Sequence, residues 1–280
     1  MKTSTPRETD FSKITKVADL IAYLDDTSKR LENRSHLYHY TKLNRVIDIY
    51  KGKKWHLGSA KCMNDRLEYA NGDSARWENM FFACFMTDVK ESIGMWSMYA
   101  QPWEDGVLIT IPKKVVLNWV KSVRTIHEVS CTNFELTGRT LNVNKINRVV
   151  LSSVAYTNCD NPDSDERLTW STTSNLKIAK ASHIPELTGY IKDSAWDYER
   201  EIRIKAVLSS GHGFSRVAID VPEEVLDSMT ITAGPLFKGK LEERLQEEIR
   251  KRASVSQSLF YERLNINSPC EGCLARKKDV

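Results

Sequence analysis

The chain has 280 residues, with 41 Lys plus Arg against 37 Asp plus Glu, a formal net charge of +4. Hydrophobic residues at 41% and charged residues at 28% exclude wholesale disorder, and a chain this long buries a core without disulfide or metal staples. No apolar run approaches the roughly 18 residues of a membrane span, the first ten residues lack a signal-type apolar core, and the basic excess is far from a polybasic signature.

Val17, Leu20, Ile21 and Leu24 recur at helical spacing and predict an amphipathic helix over residues 14–32, within an N-terminal helical arm spanning 1–35. Leu37-Tyr38-His39-Tyr40-Thr41 reads as a strand, Leu43 to Ile49 as a helix closed at Gly52, and Trp55–Gly58 as a second strand. Met80–Met86 is an apolar run of the kind buried in a sheet, and a turn-rich stretch leads from it to Met95–Ala100. Gly106–Ile111 is a strand, and Pro112 opens a helix carrying Val115, Val116 and Trp119. A strand around Val149–Tyr156 and a helix around Leu176–Ile191 flank a polar loop, Thr157–Asn175, the expected flexible insertion. Glu201–Leu208, Val217–Val221 and Met229–Ala233 read as strands, Leu241–Arg252 as a charged helix, and Ser258–Leu264 as a last strand. With strands and helices mixed in order and no boundary between them, the expected class is α+β, one domain over 36–265 with a flexible tail, 266–280. Cysteines at 62, 84, 131, 159, 270 and 273 are too scattered for a disulfide framework, which points to free thiols in a reducing cytoplasm. Cys270-x-x-Cys273 is half a zinc site with no second half nearby, so no metal is assigned.

Several constellations carry chemistry. In a strand His39 and Thr41 share a face, with Tyr38 and Tyr40 on the other, so an imidazole and a hydroxyl can grip one small polar ligand. The plainer alternative is a satisfied core histidine. Glu199, Glu201 and Arg203 alternate at a strand start, placing two carboxylates on one face. A carboxylate beside a sugar stabilises positive charge as a glycosidic bond breaks, whereas a solvated edge with Glu–Arg pairs needs no ligand. Trp96-Ser97-Met98-Tyr99 can stack a planar ring or simply fill core, and Asn64-Asp65 with Glu68 can bind or cap a helix.

In this order the blocks Tyr38-His39-Tyr40-Thr41-x-Leu43, Met63-Asn64-Asp65 with Glu68, Met95-Trp96-Ser97-x-Tyr99, Gly106-Val107 and Lys192-x-x-x-Trp196-x-Tyr198-Glu199-x-Glu201-x-Arg203 resemble a widespread bacterial domain family of unknown function, over residues 36–250. Arg66, where that family usually has Pro, and the extra length over 121–175 depart from it. The family in turn resembles ADP-ribosyltransferases, since His39-Tyr40-Thr41 is similar to the first-strand motif of the DNA-modifying ADP-ribosyltransferase toxins. The resemblance implies a split β-sheet core with surrounding helices and NAD as substrate in the cleft. It implies His39 and Thr41 on NAD, one of Tyr40, Trp96 or Tyr99 against the nicotinamide, Ser97 and Asn64 as further contacts, Glu201 as the catalytic carboxylate and Glu199 on the acceptor. It also implies that Glu201→Gln abolishes transfer and leaves the fold intact. The expected acceptor is nucleic acid, RNA ahead of DNA, in a toxin–antitoxin module of phage defence, with an antitoxin or chaperone as what the tail recruits. A protein acceptor, water (an NAD glycohydrolase) and a non-catalytic nucleotide-sensing or partner-binding module are the alternatives.

Overall fold

A computed structural model describes residues 16–27, 31–64, 77–87, 91–157, 187–249, 253–261 and 263. The α+β class is what the chain adopts, with most strands in one large sheet flanked by short helices. Helix α1 (Val17–Asp25) packs Leu20 and Leu24 against Leu187, Tyr190 and Ile191, so the amphipathic stripe covers the sheet over a shorter span than its sequence pattern suggests.

Strand β1 (His36–Lys42) pairs along its whole length with β4 (Gly106–Pro112), from His36↔Pro112 to Lys42↔Gly106, antiparallel. Helix α2 (Leu43–Gly52) follows at once and turns into strand β2 (Lys54–Ser59). Gly52 is the last helical residue; the left-handed position is Lys53 with φ 48°, so the αL cap falls one residue beyond the glycine. Strand β3 (Met80–Met86) pairs over seven residues with β10 (Glu201–Val207), which pairs on its far side with β7 (Arg148–Ser153). Strand β3 is apolar on both faces, whereas β10 alternates Glu201, Arg203 and Lys205 with apolar residues, and both are buried over most of their length inside the sheet.

The junction between the two halves decides the site. Strands β1 and β3 share one pairing, Tyr38↔Met86, and part beyond it. At the other end of β3, Gly58 and Ser59 of β2 pair with Phe82 and Phe81. The middle of β3, around Cys84, therefore faces β1 across an opening in the sheet rather than through a ladder.

Helix α3 (Ile93–Tyr99) contains the Trp96-Ser97 block, which the sequence pattern left without an assigned element. Helix α4 (Lys113–Ser122) follows Pro112 as expected. Strands β5 (Thr125–Val129) and β6 (Leu136–Asn142) form a hairpin that extends the sheet through β11 (Val217–Asp220). Its outer strand is almost wholly exposed, so it lacks the apolar alternation that marks a strand in sequence. Strands β8 (Ala155–Thr157) and β9 (Ile191–Asp193) form a small parallel pair. The end of the expected 176–191 helix is thus turn and strand, and its body lies outside the described residues, as do most of the polar loop, Asp65, Glu68 and the Cys270–Cys273 tail.

Helix α5 (Glu223–Ser228), β12 (Thr230–Ala233), α6 (Leu241–Ile249) and β13 (Ser254–Gln257) complete the described chain. The last strand sits at 254–257 rather than 258–264, because it pairs in parallel with β12, Thr230↔Ser254 to Ala233↔Gln257. No helix among the described residues is long and apolar enough to cross a membrane.

Candidate functional site

A cavity of about 270 Å³ occupies the opening between β1 and β3. Because it lies at the edge of β1 rather than over one face, Tyr38, His39 and Tyr40 all border it. Strand alternation still sets Tyr38 and Tyr40 on the face opposite His39, and the cavity touches all three because it opens at the strand's edge, between the faces. The His39 ring bridges the gap: Nδ1 lies 2.8 Å from the Cys84 carbonyl oxygen. A carbonyl only accepts, so Nδ1 carries the proton. Burial pushes the His39 pKa down despite that carbonyl, so the ring is neutral and Nε2 is an acceptor. The ring is wedged against Trp55 and Phe85, at centroid distances of 5.1 and 5.4 Å.

The opposite wall is charged. Residues Ser194–Glu199 form a short 3-10 helix, so Glu199 does not belong to the strand that the sequence pattern gave it. Arg200 then takes a left-handed conformation, φ 42°, and its carbonyl accepts from the Thr87 hydroxyl at 2.8 Å. This reversal brings Glu199 and Glu201 to one ammonium. Lys192 Nζ donates to Glu199 and, at 3.5 Å, to Glu201 Oε2. Arg203 grips Glu201 with two bonds, Nε to Oε1 at 2.8 Å and Nη2 to Oε2 at 2.9 Å, and donates to the Gly189 carbonyl at 3.3 Å. Gly189 has to be glycine, since its φ is +76° and a Cβ would lie 2.7 Å from the Phe82 ring.

All four charged side chains are 5% exposed or less. Burial alone would raise the Glu201 carboxyl, but the Arg203 guanidinium and the Lys192 ammonium outweigh it and hold the group well below the ordinary carboxylate range. The Cys84 thiol, pushed up by burial and by the Glu201 charge, stays protonated and donates to the same carboxylate. On the Glu199 side, Tyr99 OH donates to Oε1 at 2.5 Å and accepts from Asn64 Nδ2 at 3.3 Å. Burial and the Glu199 charge both raise the Tyr99 pKa, so the phenol keeps its proton. Two carboxylates thus face the cavity beside the Lys192 and Arg203 cations, and an aromatic hydroxyl joins one of them.

Tyr99 reaches this position because α3 is pressed onto the start of β4. Gly106 permits it: a Cβ there would lie 2.5 Å from the Ala100 carbonyl oxygen. Tyr40 anchors the same helix, its hydroxyl accepting from the Ser92 backbone N–H at 3.0 Å.

The structure brings His39, Tyr40, Asn64, Tyr99, Glu199 and Glu201 around one cavity. Thr41 is not among its walls; it borders an adjoining cavity that shares His39 and His56. Trp96 is fully buried beneath Tyr40, edge-on at 4.9 Å, with its indole N–H donated to Glu91 at 3.0 Å. It is core, and no ligand ring reaches it. Ser97 is exposed on the outer side of α3 and does not border the cavity. Because Glu201→Gln withdraws the counter-charge of a buried guanidinium, it is expected to cost the fold stability rather than leave it untouched. Sequence reasoning missed Lys192 as the cation between the two glutamates, Cys84 and His56. Lys192 and Arg203 stood in the quoted block, but only the turn at Arg200 tells which carboxylate each one meets.

A family described as "Protein of unknown function (DUF2971)" matches residues 95–204. That stretch takes in Tyr99, Lys192, Glu199 and Glu201 and leaves β1 outside. No curated protein matches the chain. Similar solved structures include Thermus sp. 2.9 DarT in complex with NAD+, at 9% identity over 81% of this chain and 98% of that one, with a TM-score of 0.34. The same protein in complex with carba-NAD+ aligns at 8% identity over 81% and 96%, TM-score 0.31. Thermosipho africanus DarTG in complex with ADP-ribose aligns at 10% identity over 81% of this chain and 50% of that one, TM-score 0.31.

Proposed function

We propose that the cavity between β1 and β3 binds NAD and that the protein is an ADP-ribosyltransferase. The observation that carries this reading is the pair Glu199 and Glu201, buried, paired with Lys192 and Arg203 and facing His39 across the opening in the sheet. Departure of nicotinamide breaks the ribose C1′–N bond, and the bonding electrons neutralise the pyridinium nitrogen. The ribose is left with oxocarbenium character, which a fixed carboxylate stabilises without having to take a proton. Glu201, clamped as an anion, suits that role and not that of a general base.

His39 offers the Nε2 lone pair to a ribose hydroxyl or to the carboxamide N–H, while Tyr38, Tyr40 and Tyr99 are the rings available to the nicotinamide. Glu199 orients the acceptor nucleophile and takes its proton as the nucleophile attacks C1′. We assign the acceptor to nucleic acid, RNA ahead of DNA, and the protein to a toxin–antitoxin module. The resemblance of the Tyr38–Leu43 and Lys192–Arg203 blocks and the net charge of +4 support that assignment.

Incubation with radiolabelled NAD and, separately, RNA, DNA and a cell lysate tests it. Label on RNA or DNA is expected. Label on protein alone rejects the nucleic-acid acceptor, and NAD loss with no labelled macromolecule rejects transfer in favour of hydrolysis. Glu201→Gln, assayed where circular dichroism shows it folded, is expected to lower turnover by about 100-fold or more. Wild-type turnover in that variant would remove Glu201 from the chemistry.

A further inference from the structure

A second cavity, about 210 Å³, lies beside the first and shares His39 and His56 with it. Its chemistry is different. Thr41 is the next-to-last residue of β1, Arg45 stands in the first turn of α2, Lys54 and His56 share one face of β2, and Arg216 immediately precedes β11. Against Arg45, Lys54 and Arg216 the wall holds one carboxylate, Asp48, 3.6 Å from Arg45. Lys54 is paired with Asp220 at 2.7 Å. Among the described residues no carboxylate lies within ion-pair distance of Arg216; its guanidinium carbon sits 4.3 Å from the Phe134 ring centre, and that of Arg45 sits 5.0 Å from the same centre. Both guanidiniums border the one cavity, where like charges cost electrostatic energy unless an anion shares them. His56 registers the excess: burial lowers its pKa first, and the Arg45 and Arg216 charges lower it further against a weaker pull from Asp48.

The neighbouring cavity is poorly suited to such an anion, because Glu199 and Glu201 stand on its wall and already match Lys192 and Arg203. We propose that the basic cavity is a phosphate subsite, in which Arg45, Arg216, Lys54 and the Thr41 hydroxyl hold a phosphoanion next to the group bound at His39. The planar donor fork of a guanidinium suits the several oxygens of a phosphate or pyrophosphate. The two sources of such an anion are the pyrophosphate of the dinucleotide itself and a backbone phosphate of the acceptor. Only the choice between them rests on the reading of the first cavity.

The direct probe is inorganic pyrophosphate, titrated into the full chain with the His56 ring signals followed by NMR. His56 is expected to titrate higher by roughly one pH unit once the anion is bound. Arg216→Gln is expected to weaken pyrophosphate binding about tenfold, Arg216→Lys less, and Phe134→Leu, which removes the ring but no charge, least of all. No movement of His56, or equal binding by wild type and Arg216→Gln, overturns the subsite. Both outcomes are read without NAD turnover, so failure of the transferase reading leaves them intact. With turnover, a tenfold higher KM for NAD in Arg216→Gln at unchanged affinity for a short RNA identifies the dinucleotide's pyrophosphate. The converse, weaker RNA binding with a salt slope smaller by about one, identifies the acceptor phosphate. Wild-type values for both ligands overturn the proposal.

Discussion

The two cavities that meet at His39 use charge in opposite ways. In the first, Glu199, Glu201, Lys192 and Arg203 are buried and matched two against two in direct ion pairs. In the second, Arg45 and Arg216 keep solvent contact and lack a full set of counter-charges. A buried charge must be matched within the protein or it is not tolerated, while a half-exposed one is carried by water until a ligand replaces it. The matched set therefore serves folding and electrostatic preorganisation together, and the unmatched set is free to serve binding.

This contrast is open to test, beginning with the matched set. Arg203→Met leaves Glu201 buried with Lys192 as its remaining cationic partner, and is expected to cost about 3–5 kcal/mol in urea unfolding. A loss below about 1 kcal/mol would show that the pair is not what holds that end of β10. Acid comes next. The folded Glu201 pKa is depressed, so its contribution is complete above the ordinary carboxylate range and is lost as pH falls through the lower folded value. The neutral His39, also depressed, adds a milder loss that begins as pH drops below its ordinary 6.5. Stability measured from pH 7 to pH 3 is expected to fall throughout, and a curve flat over that range would contradict both. The smallest effect belongs to the second cavity. Arg45→Gln is expected to change stability by no more than about 0.5 kcal/mol, because its charge is exposed and weakly paired. A cost as large as that of Arg203→Met would erase the distinction between the two regions.

Much of the fold is legible in residue patterns. Strands β1, β3, β4 and β10 are runs of apolar or alternating residues, and their limits in the sequence lie within a residue or two of those observed. The β5–β6 hairpin escaped because its outer strand faces water on nearly every residue, so it carries no periodic apolar signal. The last strand was misplaced because the choice between 254–257 and 258–264 is made by pairing with β12, not by the short segment's own composition.

The candidate site divides along similar lines. His39, Tyr99, Glu199 and Glu201 stand out as residue types with chemistry to offer, and the cavity gathers them. Trp96 and Ser97 stood out equally, yet helix α3 turns one into the core and the other to solvent. The shared face inferred for Glu199 and Glu201 also gave way, since a 3-10 turn and a left-handed Arg200 bring the two carboxylates together instead.

What the sequence by itself determined is the set of strands and the inventory of reactive side chains, because apolar periodicity and residue chemistry are local properties. What only the tertiary structure decided is where the sheet opens. Strands β1 and β3 are far apart in the chain, and their ladder stops after Tyr38↔Met86; farther along the same edge β3 pairs with β2, while β10 holds the opposite edge over all seven residues. From that interruption follow the neutral His39 bridge, the cavity at a strand edge and the division of charge on either side of it.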